Sequence, residues 1–202
     1  MVRVTDEQKK KIRQSILEVA QKHFTEKGYD KTITKDIAKE VGIAEGTLFN
    51  YFDTKTEIFL EAMASGYLVD VNAKDQINYK DGIVDIMYDL VYKTMKHLIK
   101  VSKKVIIEIA SASLSLAKRK PELMRRIIQL DYNMMDDLAE ISSRLIEEKR
   151  LKKADPKLYA EVIYAAVVVE IILYLYEDKL TVEEVLQNVK EKIRFTLEGH
   201  IL

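Results

Sequence analysis

Apolar residues recur at three- and four-residue steps along most of the chain, the spacing of one helix face. Thr5 and Gln8 read as a capping box, and behind them Ile12, Ile16, Val19, Ala20 and Phe24 line one face. That helix ends at Lys27-Gly28, where glycine suits the position after a helix end. A short helix after Thr34 carries Ile37 and Ala38 and stops at Val41-Gly42, and a third runs from about Ala44 to Tyr51. Thr54 and Glu57 form another box, opening a helix from Lys55 to about Lys74. Longer helices are expected over 82–99, 102–118, 121–151, 156–178 and from Thr181 to near the C-terminus. Pro121 and Asp155-Pro156 suit helix starts, and Thr181 with Glu184 makes a further box. The Val- and Ile-rich run Ala165–Ile172 has strand composition, but its apolar pattern continues on both sides, so length decides for helix. The pattern predicts an all-α chain of about nine helices with no strand.

Composition supports this. The 202 residues are 48% hydrophobic and 33% charged, too rich in core residues for a disordered chain. Six glycines and two prolines are too few for the turns of an all-β fold. With no cysteine there is no thiolate zinc site, disulfide framework or cysteine nucleophile, and no metal or other cofactor is expected. His23, His97 and His200 fall on different helices, and no H-E-x-x-H, G-x-S-x-G or phosphate-loop pattern occurs, so the chain does not read as an enzyme. The first residues lack an apolar signal segment, and cytoplasmic residence is expected. The run Val162–Tyr176, broken by Glu170, is shorter than the ~20 residues needed to span a bilayer and reads as core or interface, not membrane. Lys+Arg and Asp+Glu both number 33, so any nucleic-acid role rests on local placement of charge.

The stretch from Thr34 to Lys55 has that placement. Ile37, Ala38 and Val41 make the inner face of a short helix, Gly42 takes the chain reversal, Ile43 plugs the turn, and Leu48 and Phe52 make the inner face of a second helix. The outer face then shows Glu45, Gly46, Thr47, Asn50 and Tyr51. Gly46 admits close backbone approach, Thr47 and Tyr51 suit phosphate oxygens, and Asn50 suits a base edge. This is a helix-turn-helix.

The pattern [DE]-I-A-x-x-x-G-[VI]-x-x-G-T-[LI]-[YF]-x-[YH]-F-x-x-K, fulfilled from Asp36 to Lys55 just after Thr34 and behind a first helix ending in Lys27-Gly28-Tyr29, resembles the TetR family of transcriptional regulators. The resemblance covers about the first 60 residues. It implies a helix-turn-helix DNA-binding domain over 1–54 and a helical ligand-binding and dimerisation domain over 55–202. It implies a repressor that binds double-stranded operator DNA as a homodimer and is released by a small lipophilic effector. Thr34, Thr47, Tyr51 and Lys55 match positions that commonly touch phosphates in the family, with Lys35 beside them, while Glu45, Gly46 and Asn50 sit on its base-reading face. Phe49 stands where the family most often has Tyr, and Glu45 is an acid facing the groove that suits a cytosine amino group. Thr34 reads equally as a helix cap, Tyr51 also as a core aromatic, and Lys9, Lys10 and Lys11 as a solvated face or a phosphate-facing patch.

In the C-terminal part Met63, Tyr67, Met87, Tyr88, Met95, Tyr132, Met135 and Tyr164 are the candidate ligand lining, although such a stripe is also ordinary core. Asn133 and Glu170 are the polar candidates; a carboxylate in so apolar a run needs a partner, an Arg or Tyr across the bundle or dimer first and a ligand second. The eighth helix is apolar almost all round, so the last two helices are expected to make the homodimer as a four-helix bundle. The competing reading is a TetR-like DNA-organising or protein-binding factor without an effector.

Overall fold

The computed structural model describes residues 5–64, 73–96 and 100–202, the side chains of Met63, Leu114 and Ser115 excepted. Among these residues there are nine α-helices: α1 (Asp6–Lys31), α2 (Thr34–Val41), α3 (Glu45–Leu48), α4 (Lys55–Ala64), α5 (Ile83–Met95), α6 (Lys103–Arg119), α7 (Pro121–Glu147), α8 (Pro156–Tyr176) and α9 (Val182–Leu197). The only strand-like pairing described is an isolated antiparallel bridge between Leu151 and Ile201.

Local chemistry sets most boundaries. The Thr5–Gln8 box closes in both directions, at 3.2 and 2.9 Å, and the Thr181–Glu184 box likewise. Asp155 accepts from the Lys157 N–H, behind Pro156 at the helix start. Gly28 takes φ 76°, which favours glycine, but the chain resumes helical turns to Lys31 and so ends later than expected. The third helix is shorter than expected. Asn50 N–H bonds to the Thr47 carbonyl and Tyr51 N–H to that of Leu48, so its end tightens into three-residue turns. The Thr54–Glu57 box forms only by half: Glu57 N–H donates to Thr54 Oγ1, but the Glu57 carboxylate accepts from Asp53 N–H, one residue earlier. A single 3-10 turn at Lys74–Gln76 stands where the fourth helix was expected to finish. The seventh helix stops at Glu147 rather than near Leu151, because Lys149 turns to φ 57° and Leu151 N–H folds back to the Leu145 carbonyl.

The chain divides into two compact units, residues 1–69 with 100–127, and residues 70–99 with 128–202. The first packs α1 to α4 and α6 around Ile16, Ala20, Phe24, Tyr29, Ile37, Leu48, Phe52 and Ile58. Phe24, Tyr29 and Phe59 form an aromatic trio with centroids 5.1–5.7 Å apart, and the Tyr29 hydroxyl is 2.8 Å from Thr56 Oγ1. The second unit builds its core from α5, α7, α8 and α9, around Met87, Leu90, Leu138, Ile141, Leu145, Ile163, Val167 and Ile193.

α8 is longer than the apolar run suggested. Its 21 residues are long and apolar enough to cross a membrane by length and composition, so that part of the sequence argument is corrected. The helix nevertheless packs on α9 and turns Tyr159, Ala160, Ile163, Val167 and Glu170 inward. Glu170 is fully buried. Its partners are Asn188 Nδ2, at 3.0 Å, and the Lys192 ammonium, both on α9 of the same chain, in place of the expected Arg or Tyr. Removing one partner of a buried pair strands the other charge. Lys192 keeps 41% side-chain exposure, which moderates that cost. Lys192→Met is therefore expected to lower unfolding free energy in urea by about 2 kcal/mol, and adding Glu170→Gln to recover most of the loss.

Candidate nucleic-acid interface

The helix-turn-helix is held from three directions. Below, Ile37, Ala38, Leu48 and Phe52 are at most 1% exposed, with Ile43 packed against them. In the turn, Gly42 has φ 81° and ψ 28°, and its N–H reaches the Ala38 and Lys39 carbonyls. A β-carbon there would meet no atom within 4 Å, so glycine is favoured by backbone conformation and not by space. Behind, Glu40 of α2 is bound to α1. Lys22 Nζ donates to Glu40 Oε1 at 2.8 Å, and His23 Nε2 lies 2.8 Å from Glu40 Oε2. Lys27 Nζ is 3.2 Å from His23 Nδ1. An ammonium only donates, so Nδ1 accepts and Nε2–H donates to Glu40.

The outer face holds one unexpected bond. Thr34 Oγ1 donates to Glu45 Oε1 at 2.7 Å. Thr34 is the first helical residue, and the N-cap, Ile33, makes no side-chain cap, so the capping role for Thr34 is overturned. The same bond steadies the Glu45 carboxylate across the turn. Gly46 and Asn50 are exposed, Thr47 and Tyr51 half-buried, and Tyr51 also packs against the core. A hypothetical Cβ on Gly46 meets nothing within 4 Å. Lys35 is exposed, with Lys31. Lys55 Nζ sits 4.2 Å from the Tyr29 ring centroid, and burial lowers its pKa against the opposing charges of Asp30 and Glu108.

Three of the expected contacts are brought together with part of α1. Thr47, Asn50 and Tyr51 share a concavity of about 510 Å³ with Lys9, Lys10 and Arg13. Arg13 escaped the sequence reading, although its step from Lys9 and Lys10 places it on their face. Its guanidinium lies 4.8 Å from the Phe52 ring centroid. Three cations beside hydroxyl and amide groups form a surface suited to nucleic-acid backbone.

Residues 16–62 match the family model described as bacterial regulatory proteins, tetR family. The helix-turn-helix segment is thus similar to that of the TetR family. The chain is 26% identical over 119 residues to IcaR of Staphylococcus epidermidis, the biofilm operon icaADBC HTH-type negative transcriptional regulator; the match covers 57% of this chain and 60% of that protein. It is 31% identical over 85 residues to the HTH-type transcriptional repressor AcnR of Corynebacterium diphtheriae, covering 42% and 43%. The chain thus spans 60% or less of the length of these relatives. A TetR-family structure from Mesorhizobium loti shares the fold, with TM-score 0.64 and 17% identity over 96% of this chain and 98% of that one.

The ligand-lining candidates of this chain are dispersed. Met87 is fully buried, and Tyr88, Met95, Met135 and Tyr164 pack against the same core. Burial, then the Asp131 carboxylate, push the Tyr164 phenol up to about 12. Tyr132 is 55% exposed, and Asn133 is exposed and accepts from Gln129 at 3.0 Å. Tyr67, the Met63 side chain and His97 lie outside the described residues.

The Glu40 cluster has a pH signature. Hydrogen bonds from Lys22 and His23 lower the Glu40 carboxyl from 4.5 to about 2. A depressed carboxyl contributes stability above its unfolded value and loses it as pH falls through the folded one. Melting temperature is expected to drop between about pH 4.5 and 2, and Glu40→Gln to lose less than wild type across that window, as followed by circular dichroism.

Proposed function

We propose that the chain is a DNA-binding transcriptional repressor that binds a two-fold symmetric operator as a homodimer and is released by a small, mainly apolar ligand. The observation that carries this is the concavity joining Lys9, Lys10 and Arg13 of α1 to Thr47, Asn50 and Tyr51 at the exposed end of the helix-turn-helix. Residues 1–54 are the DNA-binding head and 55–202 the part that dimerises and takes the effector. Lys35, Thr47, Tyr51 and Lys55 serve backbone phosphates, while Thr34, whose one hydroxyl proton goes to Glu45, does not, and Gly46 and Asn50 present the base-reading surface. Glu45, steadied by Thr34, accepts from a cytosine amino group. The named relatives, a negative regulator and a repressor, support the direction of control.

Support for the dimer comes from α8. Leu158, Val162, Val169, Ile172, Leu173 and Tyr176 are 41–83% exposed, and Phe195 of α9 is 78% exposed. An apolar surface of that kind marks an association site, and a partner helix pair covers it. The effector occupies the helical bundle near Met87, Tyr88, Met95 and Tyr164. Two observations favour the organising factor without an effector: Met87 is already fully buried, and Glu170 already holds two partners.

Sedimentation at micromolar concentration is expected to give about twice the 23.4 kDa chain mass, and a charged residue in place of Val169 to shift the chain toward monomer. In fluorescence anisotropy with a selected operator, Asn50→Ala is expected to change preference among operator variants by about 1–3 kcal/mol. Lys10→Gln is expected instead to weaken all duplexes similarly and flatten the log–log salt slope by about 1 per lost phosphate contact. An Asn50→Ala chain with unchanged affinity and preference would falsify the base-reading role.

A further inference from the structure

α4 carries two buried carboxylates one turn apart, Glu57 (1% exposed) and Glu61 (4%). Like charges at that spacing repel, and burial makes each more costly. Lys120 Nζ is paired with Glu57 and lies 3.5 Å from Glu61 Oε1. Arg13 pairs with Glu61 Oε2. Two carboxylates thus face two cations, one from α1 and one from the junction of α6 and α7. The same junction grips the start of α4 again, through the Arg119–Asp53 ion pair, while Asp53 N–H donates to Glu57 Oε2.

Arg13 belongs to two environments at once. Glu61, its buried partner, is on the core side; on the other side Arg13 lines the concavity with Lys9, Lys10, Thr47, Asn50 and Tyr51. Its side chain keeps 38% exposure, against 5% for Glu61. It therefore touches both the buried charge network and the concavity.

We propose that Arg13 is a DNA-phosphate contact and that Lys120 is a positioning residue controlling it through Glu61. With Lys120 seated, as in the structure, the charge of the Glu57–Glu61 pair is shared between two cations, so Glu61 holds Arg13 less tightly and the exposed edge of its guanidinium can meet a phosphate in the concavity. When the α6–α7 junction draws Lys120 away, the pair is left with excess negative charge. Glu61 then holds Arg13 inward and the phosphate loses a cation. This deepens the DNA-binding reading, and rests on it, by naming a backbone contact and the place from which it is regulated.

The test uses the full chain and a fluorescent duplex of random sequence, titrated between about 50 and 200 mM salt. Glu61→Gln is expected to tighten binding about threefold and steepen the log–log slope by up to about 1 per subunit. Adding Arg13→Gln is expected to abolish that gain. Lys120→Met is expected to weaken binding about tenfold and flatten the slope, and Lys120→Met with Glu61→Gln to restore both. A damaged fold gives no gain of affinity, so a Glu61→Gln chain that binds no more tightly than wild type overturns the relay, as does an unrestored double variant. A wild-type chain without salt-dependent duplex binding overturns the regulator reading and the relay together. Wild-type binding with unaltered slopes in all variants overturns the relay alone.

Discussion

A carboxylate taken out of water has to be met by a cation or by donors, at a cost of several kcal/mol per ion if it is not. That requirement organises both units of this chain. In the first, Glu57 and Glu61 fix α4 against α1 and against the residues just before Pro121. In the second, Glu170 fixes α8 against α9. Aliphatic contacts between helices tolerate sliding by a rotamer or a fraction of a turn. An ion pair between named atoms does not, so the apolar cores supply cohesion and the buried acids supply register.

Much of the fold was legible because helix ends are local chemistry. Thr5 with Gln8, Thr181 with Glu184, Asp155 before Pro156, and Gly42 after Val41 all act within a few residues, and each does in the structure what its spacing announced. The helix-turn-helix was legible for a similar reason: its inner face, turn glycine and plug residue lie within one short stretch. What escaped was tertiary. Thr34 has the chemistry of a cap, but it stands one residue inside the helix, behind Ile33, and its hydroxyl donates to Glu45, eleven positions on. Glu57 has the spacing of a box residue, but the chain bends so that Asp53, not Thr54, donates to it. Nothing near Lys120 in sequence indicates that its ammonium meets carboxylates on α4.

α8 shows how one sequence signal carried two meanings. A helix apolar on every side demands cover on every side. The inner half of that demand is met by α9 and the second-unit core, with Glu170 accommodated by Lys192 and Asn188. The outer half, from Leu158 to Tyr176, stays exposed in the single chain. The ligand candidates fared differently, because a Met or Tyr at helical spacing looks the same in sequence whether it fills a core, as Met87 does, or stands in solvent, as Tyr132 does.

The open space around Gly46 bears on how this head can diversify. It is helical, its φ is not in the left-handed region, and an added Cβ meets no neighbour. New side chains can therefore be introduced at this point of the exposed surface without repacking Leu48, Phe52 or the turn. Such a position is decoupled from folding: on the proposed base-reading role, substitutions there would be screened by the nucleotide sequence they prefer and not by whether the protein survives them. A duplicated copy could change this residue while keeping its scaffold, and a directed library placed here would have few dead members.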